Sequence, residues 1–361
     1  MRIKSVDFLR GLTIAAMILV NNPGSWGHIY APLEHAEWHG LTPTDLIFPF
    51  FLYIVGISIS IAYKDKTASY VTYRKIVIRS LKLVLLGIVL SAFLPTPPFI
   101  KSFEIIRFPG VLQRIGVVFF VTAILFLNVK WKTLLYLGIG ILLAYWLLLG
   151  FVDLPSGMAP TFDRASNNWA NYLDLKAFGT HMWQPDYDPE GLLSTLPAIV
   201  TCIIGVLMGK LLLSNTKGLV SKFIFFGAIQ LIVGYVWSIW FPLNKALWSS
   251  SFVLVTGGYA TIILAIIYYL NDVKQIKFGS VFSYMGMNAI GIFFLSGVIA
   301  KSFYKLKVNE SESIHGWLYN HLYIHSFLDD KQSSLLYALT VLLFYIGLGH
   351  FLFKKKIFIK V

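Results

Sequence analysis

Apolar runs of about 17–25 residues recur from one end of this chain to the other, and that length is the hydrocarbon core of a bilayer measured in helix. In lipid every backbone N–H and C=O must be satisfied inside the protein, so a crossing segment is either a helix or part of a closed barrel. The alternation of a barrel strand is absent. Only 13% of the 361 residues are charged, against about 25% in an average soluble domain. The fold class is therefore all-α: a polytopic membrane protein with about ten transmembrane helices in one bundle, residues 1–361 forming a single domain. The spans fall at roughly 8–22, 44–63, 76–94, 110–128, 132–150, 191–213, 222–241, 248–270, 281–299 and 335–353. The first is short and ends at Asn21-Asn22-Pro23, which points to a tilt or a break near the midplane. Arg2 and Lys4 before an apolar stretch resemble a signal peptide, but Asp7 and Arg10 interrupt it and no small-x-small cleavage site follows. The segment reads as a retained first helix. No internal repeat or low-complexity segment stands out.

A net charge of +13 raises the question of nucleic acid, and its distribution answers it. With the N-terminus in the cytoplasm, 20 of the 30 Lys and Arg and only three acids (Asp7, Asp65, Asp272) fall on the cytoplasmic side. That face carries +17 and the opposite face −4. Lys354-Lys355-Lys356 puts the C-terminus inside as well. The basic balance is thus topology in a cytoplasmic (inner) membrane, with a positive field suited to anionic lipid or an anionic cosubstrate, and nucleic acid is not a partner. Arg79 and Lys82 belong to this field. The single cysteine, Cys202, lies in an apolar run, so no intrachain disulfide forms and the redox compartment is not indicated.

Seven of the eight histidines fall on the outer side, His350 excepted. Three of them sit in residues 21–51, with Glu34, Glu37, Asp45, Trp26 and Trp38. A loop that merely re-enters the membrane does not need such titratable content, and His35 is its focus. Three readings of His35 stand: a metal ligand with His39, a solvated loop residue, and a base or nucleophile at the mouth of a cavity. His-Ala-Glu-Trp-His is not the His-Glu-x-x-His of metalloproteases, and no cysteine or second histidine pair completes a metal site by spacing. Asp45 fits a helix start, with Thr42 as N-cap and Pro43 at N1, and equally fits a carboxylate that orients a histidine. Arg107 and Arg114 are seven apart and share a face if both are helical. A charge at the position of Arg114 is costly toward lipid and should face the bundle interior, lining a cavity or pairing with Glu104 or Asp45. Asp188 and Glu190 flank Pro189, in the pattern of an N-cap before the sixth span. Asn244 and Lys245 open a tight turn ending at Trp248-Ser249, and Asn288 puts an amide inside the ninth span. In the long outer loop 151–190, Asn167, Asn168, Trp169, Asn171, Tyr172, Trp183 and Tyr187 have the composition of a sugar-binding surface, or of an interfacial aromatic belt.

Taken in order, Asp7-Phe8-Leu9-Arg10-Gly11, Val20-Asn21, His35-Ala36-x-Trp38-x-Gly40-Leu41-Thr42, Asp45-Leu46-x-Phe48-Pro49 and Arg107-x-Pro109-Gly110-Val111-Leu112-Gln113-Arg114 form a pattern. Tyr187-Asp188-Pro189-Glu190-Gly191, Asn244-Lys245-x-Leu247-Trp248-Ser249, Gly286-Met287-Asn288 and Lys355-Lys356-Ile357-Phe358 continue it. The whole set resembles the heparan-α-glucosaminide N-acetyltransferase family. The resemblance implies an enzyme that passes acetyl from cytoplasmic acetyl-CoA to the amine of a terminal glucosamine across the membrane. It implies a catalytic role for His35, with Asn21 and Asp45 beside it. The basic face and the inward polar groups then suggest acetyl-CoA along Arg79, Lys82, Arg114 and Asn288. The amino-sugar or glycan acceptor then meets Trp38, His39, Arg107, Asp188, Glu190, Asn244, Lys245 and Trp248. No metal is expected; the bilayer is a partner and a homodimer is left open. The animal members have a further N-terminal non-cytoplasmic domain and membrane helix, and Asn in place of His39, differences that bear on the acceptor. Two rivals fit parts of the pattern: a sugar or anion transporter, which needs a repeated pair of broken helices, and a cell-wall or lipid glycan O-acyltransferase.

Overall fold

A computed structural model of the chain describes residues 3–214, 216–276 and 279–359. Arg2, Lys277 and Lys360, counted above among the cytoplasmic bases, lie outside the described residues. The helices are α1 (Lys4–Asn21), α2 (Ile47–Tyr63), α3 (Tyr70–Ala92), α4 (Val111–Asn128), α5 (Trp131–Phe151), α6 (Trp169–Phe178) and α7 (Thr195–Leu213). They continue with α8 (Leu219–Trp237), α9 (Ser250–Tyr268), α10 (Ser280–Met287), α11 (Ala289–Lys305), α12 (Ile314–Leu322) and α13 (Asp330–Lys354). Among the described residues there is no strand, only two isolated bridges.

Each of the ten expected spans is helical. Among the described residues seven helices are long and apolar enough to cross a membrane, and the α10–α11 pair makes an eighth if counted as one span. The two that fall short are α1, which carries Lys4, Asp7 and Arg10, and α3, which carries Arg74, Lys75, Arg79 and Lys82. Both helices start earlier than predicted, at Lys4 and at Tyr70. For α1 the charges are satisfied within the bundle: Arg10 donates to Asp7 at 3.1 Å and to the Ser58 hydroxyl at 2.8 Å. A helix held by protein on most sides does not need to be apolar all round.

Of the tilt or break expected in the first span, the break is not there; α1 runs unbroken to Asn21. The break is in the ninth, where α10 and α11 meet at 81° around Asn288. Asn288 ties the corner to the C-terminal segment, accepting from the Ile359 N–H (2.8 Å) and donating to the Ile357 carbonyl (3.0 Å). Small residues set which helices touch. A Cβ on Gly11 would lie 1.6 Å from the Phe282 carbonyl oxygen, and one on Gly286 2.1 Å from that of Asp7. The backbones of α1 and α10 are therefore in direct contact. Gly56 and Gly205 do the same for α2 and α7, with 2.0 Å to the Cys202 and Tyr53 carbonyl oxygens.

Candidate functional site

The loop between α1 and α2 folds back on the first turn of its own exit helix. Pro43 opens a short 3-10 turn over Pro43–Leu46. Asp45 in that turn has its carboxylate wholly enclosed: Oδ2 accepts from the backbone N–H of Ala36 (3.1 Å) and of Thr42 (3.0 Å). The Thr42 hydroxyl lies 3.1 Å from the same oxygen and 2.6 Å from the Glu34 carbonyl. The other oxygen, Oδ1, stands 2.7 Å from His35 Nδ1. The Asp45 side chain is 1% exposed and that of His35 49%. A carboxylate acceptor on Nδ1 selects the tautomer with the proton there and leaves Nε2 as a bare lone pair. Both readings of Asp45 therefore hold at once: it caps the turn with one oxygen and orients a histidine with the other.

Lys245 reaches the same point from the α8–α9 turn. Its Nζ lies 3.0 Å from His35 Nε2, 3.1 Å from Nδ1 and 3.9 Å from Asp45 Oδ1. Near-equal distances to both ring nitrogens put the ammonium over the imidazole, off the in-plane lone pair of Nε2. Burial holds this lysine below its ordinary range, while Glu190 and Asp45 pull it back toward the charged form. Asn244, buried at the start of the turn, accepts from the Leu247 N–H (2.8 Å) and lies 3.3 Å from His39 Nδ1. His39 Nε2 in turn is 3.1 Å from Asp163.

A buried ion cluster lies behind Lys245. Arg107 Nε donates to Asp188 (2.7 Å), and its Nη2 bridges Asp188 and Glu190. Asp188 also accepts from the N–H groups of Trp183 and Glu190, each at 2.8 Å. Burial works against the Arg107 charge, and the two carboxylates more than offset it, so the guanidinium is held above its ordinary range. Glu190 ends below the usual carboxylate range: burial raises it, and Arg107, Arg114 and Lys245 together outweigh that. Arg114, 2% exposed, donates to the Gly191 carbonyl (3.0 Å) and to Ser194 (2.5 Å), and leaves Nε and Nη1 without a partner.

Several expectations change here. Arg107 precedes α4, because Pro109-Gly110 stops the helix short of it, so the two arginines do not share a helix face. They converge on residues 188–194 instead, and neither pairs with Glu104 or Asp45. The helix after Asp188 begins at Thr195, so Asp188 is an arginine partner, not its N-cap. Trp248, at φ +52°, is fully buried between Phe48, Phe252 and Arg114, so it packs in the core and presents no open face. The amides of the long loop are spent on the loop itself: Asn167 donates to Ala159, Asn168 to Thr161 and Asp163, and Asn171 to Ala165. Trp38 donates to the Phe162 carbonyl and meets Tyr187 edge-on. Trp183 remains exposed, above Arg107. Asn21 is exposed at the end of α1 and shares no hydrogen bond with His35 or Asp45. Asp174 was not foreseen; nothing in its short helix marks it. It accepts from the Leu192 N–H (2.8 Å), and burial raises it to about 7.

Beneath this cluster a cavity of about 360 Å³ opens between α2, α3, α4 and the α10–α11 corner. On α2 it runs from Phe51 to Tyr63, roughly 18 Å of helix beginning about 9 Å past Asp45. Arg10, Ser58 and Arg79 supply its polar wall. Arg79 lies 4.7 Å over the Phe119 ring with Nε unpartnered. Lys82, one turn on, is exposed and outside the cavity wall; Asn288 faces the C-terminal segment. Among the described residues no three of His, Cys, Asp or Glu converge as metal ligands.

Residues 2–222 match the family model described as heparan-alpha-glucosaminide N-acetyltransferase, catalytic. The whole of the chain aligns, at 30% identity, with the heparan-alpha-glucosaminide N-acetyltransferase of Homo sapiens and with that of Mus musculus. It spans 60% of the length of each of these relatives.

Proposed function

Since this chain belongs to the heparan-alpha-glucosaminide N-acetyltransferase family, we propose that it transfers acetyl from cytoplasmic acetyl-CoA to the amine of a glucosamine-type sugar on the far side of the membrane. Residues 1–361 act in this as one catalytic unit. The observation that carries the reading is the His35–Asp45 pair: a half-exposed imidazole whose Nδ1 is held by a buried carboxylate at 2.7 Å, leaving Nε2 to work as a base.

The amine attacks the thioester carbonyl as its proton passes to His35 Nε2. The new C–N bond forms, the C–S bond breaks, and the proton leaves with the CoA thiolate. In a two-step version Nε2 itself takes the acetyl and hands it on. In either, the imidazole becomes more positive and the buried Asp45 carboxylate stabilises it. Lys245, above the ring, supplies positive charge where the carbonyl oxygen turns anionic. The ion cluster of Arg107, Asp188 and Glu190 fixes the wall from which Lys245 reaches in. The 360 Å³ cavity along α2 suits the uncharged pantetheine arm, with Arg10 and Arg79 toward the phosphates.

Orientation follows from the 20-to-10 division of Lys and Arg: both termini in the cytoplasm of an inner membrane, His35 reached from the other side. In detergent, without vesicles, purified protein should move radiolabelled acetyl from acetyl-CoA to glucosamine; a transporter would not. His35→Ala should lower turnover by about 10²–10⁴ with acetyl-CoA binding intact. His39→Asn should stay active. A stable, CoA-binding His35→Ala protein with near-normal turnover would end the assignment.

A further inference from the structure

A second cavity, of about 620 Å³, lies between α5, α7 and α8. Its lips are Leu135 and Ile139 of α5 and Phe226 and Ile229 of α8, all well exposed. Only 28% of the apolar window of α5 and 22% of that of α8 is covered by protein. The groove therefore opens sideways, toward lipid. Its wall is apolar apart from Gln230 until the end near Trp131, Lys210 and Ser214. From Val200 to Lys210 on α7 is roughly 15 Å of helix, about half of a ~30 Å hydrocarbon core and so one leaflet.

At that end the groove continues into a polar pocket of about 370 Å³. Lys210 and Ser214 line both, and Ser60, Lys64, Phe126 and Leu213 complete the second. Lys64 is only loosely engaged, 3.7 Å from the exposed Asp65. Lys210 lies 5.1 Å over the Phe126 ring and has no carboxylate within salt-bridge distance among the described residues. These are the ends of α2 and α7 and the start of α5, which share one side of the membrane with Lys130 and Lys132.

We infer that the two cavities together bind one anionic phospholipid, its phosphate between Lys64 and Lys210 and an acyl chain in the groove of α5, α7 and α8. Basic pockets between helices at the cytoplasmic surface hold anionic headgroups. Groove and pocket meet at Lys210, which matches the joint between chain and headgroup. The apolar length of the groove suits an acyl chain, which a nucleotide does not have.

The test compares dioleoyl-phosphatidylglycerol with dioleoyl-phosphatidylcholine, which have the same chains, on the purified full-length protein by native mass spectrometry. Wild type should retain phosphatidylglycerol preferentially, and high salt should abolish the preference. Lys64→Gln with Lys210→Gln should weaken phosphatidylglycerol binding about 5- to 30-fold, since each near-surface lysine is worth about fivefold, and leave phosphatidylcholine unchanged. Ile139→Trp, which fills the groove, should weaken both lipids. Equal retention of the two lipids by wild type overturns the inference. So does displacement of phosphatidylglycerol by CoA, which would make the pocket a nucleotide site, or equal stabilisation by glycerol phosphate alone.

Discussion

Asp45→Asn separates an orienting carboxylate from a capping one, because the structure dictates which way the new amide must face. The Asp45 oxygen Oδ2 is met by two backbone N–H groups, from Ala36 and Thr42. An asparagine keeps both bonds only with its carbonyl oxygen there. Its NH₂ then occupies the Oδ1 position, 2.7 Å from His35 Nδ1, and donates to that nitrogen. The imidazole is forced to carry its proton on Nε2, and the base is gone. Turning the amide over forfeits two hydrogen bonds and leaves two N–H groups facing an NH₂, at about 1–3 kcal/mol each. The wrong tautomer is therefore favoured by at least about 2 kcal/mol, or roughly 30-fold at about 1.36 kcal/mol per decade. Loss of the carboxylate that stabilises the imidazolium adds to this, for an expected fall in kcat of about 10²–10³, with the capping bonds and the fold preserved. Single-turnover acetyl transfer to glucosamine in detergent, alongside CoA binding and the melting temperature, reads all three. A correctly folded Asp45→Asn enzyme within a few-fold of wild type would refute the tautomer argument. Asp45→Ala is the contrast: it strands the same donors and should destabilise as well as inactivate.

Arg107→Gln leaves Asp188 and Glu190 as buried charges without their main partner and should cost about 3–5 kcal/mol of stability; adding Asp188→Asn should recover part of it, and an unchanged melting temperature in the single variant would discount the pair. Asp174, raised by burial from 3.8 to about 7, binds its proton more tightly folded than unfolded. Stability should therefore fall as pH rises between about 4 and 7 and level off above, and Asp174→Asn should flatten that slope in thermal melts. In a Cys202→Ser background, a cysteine at position 176 should be labelled by an impermeant thiol reagent from outside and one at 66 should not; the reverse pattern would invert the topology and the assignment of the acetyl-CoA face.

What the sequence determined by itself was the kind of molecule and the segment that holds its histidine. Run length fixes helices, because the bilayer leaves a spanning backbone no other way to satisfy itself, and all ten segments are helical. In the sequence the charges in α1 and α3 speak only to topology, and they are what makes these two helices less apolar than the other spans. Residues 34–45 were legible as a site because His35 and Asp45 are close in sequence and the local turn chemistry of Thr42-Pro43 brings them together. Only the tertiary structure decided their company. Lys245 comes from 210 positions away to stand over His35. Arg107 and Arg114 look like one helix face by spacing, yet Pro109-Gly110 parts them and both are claimed by residues 188–194. The break in the bundle falls at Asn288, where a side chain can hold the C-terminal segment, and not at Asn21-Asn22-Pro23, where α1 is clamped against α10 through Gly11 and Gly286. The physical reason is common to these cases. A low-dielectric interior demands that every buried charge and open backbone group find a partner, and the sequence states that demand in full. Which partner answers it depends on which helices pack, and that is settled across hundreds of residues by contacts such as Gly11 against Phe282 that have no local signature.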